Sequence, residues 1–164
     1  MNILWDELTY GLPNLQQLIH VVVRLAAAGL LGAAVGFQRE RAGKSAGLRT
    51  HVLVALGTAL FVTAGGGAGM SPDALSRVLQ GIITGIGFIG AGSILKLERE
   101  RSIHGLTTAA GIWMTAAIGV AAGLGSLGVA LIGTALTVLV LSMVGTSDRP
   151  EPVSDHPPSD HRHP

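Results

Sequence analysis

Few side chains in this chain could do chemistry, and the densest group of them lies between Ser71 and Leu95, in SPDALSRVLQGIITGIGFIGAGSIL. Asp73 and Arg77 stand four residues apart, so on a helix they share a face. At 100° per residue, Gln80, Thr84, Gly87 and Ala91 form one arc with Gly81, Gly85 and Gly92 beside it, while Ile82, Ile86 and Ile89 lie roughly opposite. One side is small and polar and the other greasy. In lipid, small residues let helix backbones approach, and Gly81 and Gly85 have the GxxxG spacing. Two readings follow: a tightly packed helix interface, or a narrow polar seam for an ion or small solute, built from Gln80, Thr84 and backbone carbonyls.

Arg24 is a lone charge in an apolar run and needs a partner or a wet cavity. A charged group of Arg24, Asp73 and Arg77 would supply one, and snorkelling to the interface would supply another. The segment QRERAGKSAGLRTH carries Arg39, Glu40 and Arg49 among helix-breaking glycines. It reads as a solvated loop or as a docking surface for a partner or for anionic headgroups. His51 and His104 border spans and read as interfacial hydrogen bonders. Thr107 and Thr108 can bond carbonyls or line a vestibule. His156, His161 and His163 have nothing to hold them around a metal, and no metal ligands are assigned. There is no cysteine, so disulfides and thiolate chemistry are excluded. Walker, HExxH and GxSxG motifs and paired intramembrane carboxylates are absent, which argues against an enzyme, and no cofactor is expected.

The elements that position these residues are set by a membrane. Of 164 residues 48% are hydrophobic and 13% charged, too few charges to cover a water-soluble surface. No charge occurs from Thr50 to Pro72, from Val78 to Leu95, or from Ser102 to Ser147. About 20 residues cross a hydrocarbon layer as a helix, so the last gap holds two crossings. The expected fold is all-α, with five transmembrane helices near Gln17–Phe37, His51–Gly66, Arg77–Leu95, Gly105–Ala122 and Ser126–Val144. Residues 1–16, with Trp5 and Tyr10, form an interfacial segment, residues 17–145 the transmembrane domain, and residues 146–164 a disordered tail holding five of the seven prolines. Asp6 and Glu7 stand where a cleaved signal peptide would be basic, so the first span is expected to remain. Nine of the eleven Lys and Arg residues fall on one side, which the positive-inside rule makes cytoplasmic, with the N-terminus outside. A net charge of +1 argues against nucleic acid as a partner.

The segments RLAAAGLLGAAVGFQRERAGKSAGLRTHVLVALGTALF, SRVLQGIITGIGFIGAGSIL and IHGLTTAAGIWMTAAIGVAAGLG, in that order, resemble the MgtC/SapB family of bacterial inner-membrane proteins. The resemblance covers about Arg24 to Gly125. It implies a membrane domain of about five helices, linked to survival at low magnesium, acid stress or life inside host cells. One branch restrains the proton-driven ATP synthase. Long members add a cytoplasmic ACT-like domain, and this chain is expected to be a short form without it. Motif positions carry over to Arg39, Glu40, Gly47, Leu48, Arg49 and Thr50; to Arg77, Gln80, Gly85, Gly87, Phe88, Gly90, Ala91 and Gly92; and to Gly105, Leu106, Thr107, Thr108, Ala109, Ala110 and Trp113. Gln38 departs from the family, many members of which have Glu there.

Residues and resemblance together lead to a non-enzymatic regulator in the bacterial inner membrane, linked to magnesium homeostasis, acid stress or virulence and acting through helix contacts. The glycine faces suit a homodimer or a membrane-protein partner. The alternative is a transporter or channel for Mg2+ or another small ion beside Gln80 and Thr84.

Overall fold

The computed structural model describes residues 14–97 and 102–144. Five helices follow one another there: α1 Leu15–Arg41, α2 Leu48–Gly67, α3 Pro72–Gly92, α4 Leu106–Gly123 and α5 Leu127–Val144. By length and apolar composition α1 to α4 can each cross a membrane, and α5 is a shorter apolar helix over Leu127–Met143. The all-helical expectation needs one addition. An antiparallel hairpin, β1 Leu95–Leu97 against β2 Ser102–His104, joins α3 to α4, with Leu95 opposite His104.

Local chemistry accounts for most helix ends. Asn14 caps α1 by accepting from Gln17 N at 2.8 Å, so Leu15 and Gln16, expected in an interfacial segment, are already helical. At its other end α1 runs four residues beyond Phe37, with Arg39 and Arg41 in the last turn, where cations suit the helix dipole. Ser71 accepts from Ala74 N at 3.2 Å and Pro72 follows as the first helical residue, so α3 starts five residues before Arg77. It stops at Gly92 rather than Leu95. Ser93 donates its hydroxyl to Gly90 O at 2.7 Å, and the chain then passes into the hairpin, whose ladder takes up backbone groups that the helix has left. Residues 1–13, 98–101 and 145–164, with Trp5, Tyr10 and the tail histidines, lie outside the described residues.

The tightest packing is among α1, α2 and α4. Ala28, Ala55, Ala59 and Ala122 are completely buried. A Cβ at Gly32 would lie 2.7 Å from the Ala55 Cβ, and one at Gly123 2.7 Å from the Ala59 carbonyl oxygen. One at Gly119 would run into the Thr58 hydroxyl and the Ala55 carbonyl. Backbones meet here because no side chain separates them, the form of helix association that works without water to expel. α5 closes the core with Ala130 and Leu141. By contrast α3 is peripheral, with only Ile86 and Gly90 buried.

Candidate functional site

Two polar groups sit inside the α1–α2–α4 core, one at each end. Where α1 ends and α4 begins, Arg39 is 2% exposed, and its Nη2 donates to Thr108 Oγ1 at 3.1 Å. Beside it His51 is fully buried, not interfacial, with Nδ1 2.7 Å from Thr115 Oγ1. The Thr115 hydroxyl is also 2.9 Å from Gly111 O. The hydroxyl thus lies between a backbone carbonyl and the ring, and which of Nδ1 and Oγ1 donates in their contact follows the ring tautomer. The ring's Nε2 has no hydrogen-bond partner among the described residues. Glu40 does structural work: its Oε2 accepts from Leu48 N at 2.9 Å, capping α2, whose own N-cap residue is Gly47. Arg49 is exposed and Thr107 partly buried.

At the opposite end, Arg24 donates from Nη1 to Gly123 O at 3.1 Å, and Thr63 donates to the same oxygen at 3.4 Å. A guanidinium on the last carbonyls of α4 is a cation at the negative end of a helix dipole. Gly125, at φ +84°, makes this contact feasible, since a Cβ there would stand 2.8 Å from Arg24 Nη2. The group of Arg24, Asp73 and Arg77 is thus not assembled. Arg24 is engaged by α4, while Asp73 and Arg77 are both exposed. Neither enters a salt bridge within 4.0 Å among the described residues. Each helix terminus supplies a reason for its own charge: Asp73 lies in the first turn of α3.

The third candidate region is α3 itself, and it is turned unexpectedly. Its contact with the bundle is made by buried Ile86, half-buried Ile82 and Gly90 against Ala109, while Gln80, Thr84, Gly87 and Ala91, and also Ile83 and Ile89, are exposed. Nothing lies within 4 Å of a Cβ built on Gly81, Gly85, Gly87 or Gly92. Of the glycines expected to pack α3, only Gly90 does so within one chain. Trp113 of α4 is 47% exposed. Thr84 donates to Gln80 O at 2.9 Å, so its hydroxyl is held by its own helix.

The sequence itself places the chain among known proteins. Residues 25–149 match the model of the MgtC family. The chain belongs to the MgtC family. It is 47% identical over 130 residues to "Protein SrpB" of Synechococcus elongatus, covering 73% of this chain and 71% of that protein. It is 45% identical over 132 residues to "Putative magnesium transporter YhiD" of Escherichia coli K12, and 42% over 120 residues to "Protein MgtC" of Salmonella typhimurium. The matches span 59% of YhiD and 49% of MgtC. No solved structure matches it. Apolar helices and family together make this a membrane protein.

The polar core pairs were missed at the level of sequence, although a signal exists. Along α2, His51, Ala55, Thr58, Ala59, Val62 and Thr63 are buried, while Leu53, Leu60 and Phe61 are exposed. Small and hydroxyl-bearing residues recur with helical spacing, and the large apolar side chains point outward. In lipid that stripe marks the interior, the reverse of the pattern in water. Thr58 and Thr115 each bond a carbonyl three or four residues back, so their hydroxyls enter the core already satisfied.

Proposed function

We propose that this chain is a non-enzymatic regulator in the bacterial inner membrane, with five crossings, the N-terminus outside and the C-terminus in the cytoplasm, working through helix contacts made by α3. One observation carries this reading. α3 presents its polar and small face, Gln80, Thr84, Gly87 and Ala91, away from the bundle. A glutamine facing lipid is costly, and a partner helix satisfies its amide, while the glycines let that helix come close. A second copy of the chain, giving a homodimer, or another membrane protein fits this face. Magnesium supply or acid stress is the setting, supported by the family and by the printed name of YhiD as a putative magnesium transporter.

The competing transporter reading is tested in liposomes. For a regulator, purified protein gives no Mg2+ or proton flux above empty vesicles; flux abolished by Thr84→Leu would replace this reading with a transporter. Cysteine labelling tests the orientation, since the native chain has no cysteine. A cysteine at Lys44 should be protected in intact cells, and labelling from outside would reverse the topology.

A further inference from the structure

Between α2 and α3 runs an apolar groove of about 580 Å³. Gly57 and Phe61 form one wall; Gly81, Gly85 and Ile89 form the other. A Cβ placed on Gly57, Gly81 or Gly85 would meet no heavy atom within 4 Å, so bare backbone faces open space on both sides. The one hydroxyl on the wall, Thr58, donates to Val54 O at 2.9 Å and offers little to a polar ligand. Protein interiors do not keep gaps of this size, so in a bilayer the groove is filled.

Its dimensions and charge select the occupant. Along α3 the groove extends from Val78 to Ile89, about 16 Å at ~1.5 Å per residue, or roughly half of a ~30 Å hydrocarbon layer. That is the depth of one leaflet. An acyl chain is slender enough to lie along such a groove between the two helices, and the bilayer supplies one. Val78 also opens the charge-free run that lasts to Leu95, so the groove begins where the hydrocarbon begins. Immediately before it stands the exposed Arg77, with exposed Asp73 one turn further on. A cation at the mouth and an anion above it match the phosphate and the ammonium of a zwitterionic headgroup.

We propose that the α2–α3 groove is a phospholipid site, in which one acyl chain lies along Gly81 and Gly85 while the phosphate meets Arg77 and an ethanolamine ammonium meets Asp73. The site needs only a bilayer around the helices and is independent of what the outer face of α3 engages. Palmitoyl-oleoyl phosphatidylethanolamine titrated onto the purified full chain in detergent, followed by native mass spectrometry, should give one retained lipid per protomer. Gly85→Leu fills the groove and should weaken retention about tenfold or more, with Arg77→Gln weakening it about threefold. Gly128→Leu, at an open glycine on α5, should leave it unchanged. Circular dichroism melting verifies that the variants fold. Equal retention by Gly85→Leu and Arg77→Gln would overturn the proposal. So would efficient disulfide dimerisation of Gly57→Cys in membranes, which would seat a second copy in the groove.

Discussion

Helices α3 and α4 both carry several glycines and both can cross a bilayer, yet the glycines serve them in opposite ways. In α4, Gly119 and Gly123 receive the backbone of α2, and Thr108 and Thr115 of the same helix reach Arg39 and His51. In α3, four of the five glycines face open space and Thr84 bonds only its own helix. Glycine spacing therefore states that a backbone can be approached without stating by what. The companion hydroxyls tell the two apart: Thr108 and Thr115 of α4 meet side chains of other helices, whereas Ser76 and Thr84 of α3 bond only carbonyls of their own helix. The difference separates a tightly packed core from a peripheral helix.

The largest effect should come from adding one side chain to each region. Gly119→Val drives its Cβ into the Ala55 backbone, which cannot rotate away, so we expect a loss of at least about 3 kcal/mol and failure to accumulate in the membrane. Gly85→Val meets nothing and should accumulate normally. Immunoblots of membranes and thermal unfolding in detergent measure both. Equal damage from the two substitutions would break the division between core and periphery.

Next in size is the buried polar pair. Thr108→Val withdraws an acceptor from a guanidinium that is 2% exposed, and should cost about 1–3 kcal/mol. Arg39→Met with Thr108→Val should lose less than the sum of the two single changes, because neither partner is then left behind. Additive losses in unfolding experiments would show that the contact contributes nothing. A smaller loss, about 1 kcal/mol, is expected of Arg24→Leu, which frees the carbonyl end of α4. With Arg24 and Asp73 sharing no partner, that loss should add simply to any loss from Asp73→Ala.

Much of this was legible in the sequence. Gaps between charges located the helices to within about five residues at either end, because charge exclusion from the hydrocarbon acts locally. The hairpin was not legible, since β1 and β2 have three residues each and only their mutual pairing defines them. The partner of Arg24 could not be read either. It is a backbone carbonyl 99 residues away, and any helix end offers the same group. His51 was misplaced at the interface because a histidine near a span boundary carries no mark of burial. Its partner, Thr115, is 64 residues distant. The wheel set the glycines Gly81 and Gly85 apart from Ile82, Ile86 and Ile89, whereas all five line one groove, because a helical wheel cannot say which arc faces the bundle.

The smallest effect is reserved for Asp73, and it sharpens the contrast most. The cap of α3 is already made by Ser71, which accepts from Ala74 N, so Asp73 adds only its charge near the positive end of the helix dipole. Such a contribution is worth about 0.3–1 kcal/mol at an exposed position and falls with salt. Asp73→Asn should thus leave membrane accumulation and unfolding temperature almost unchanged, and Asp73→Glu should preserve both. Phosphatidylethanolamine retention is a different readout, because a headgroup ammonium would lose its anion in Asp73→Asn and regain one in Asp73→Glu. Weaker retention in Asp73→Asn at constant stability would put the carboxylate in service of the lipid. If Asp73→Asn instead destabilised the protein as much as Arg24→Leu, the outer end of α3 would have to be held by a buried charge contact, and its separation from the core would fail.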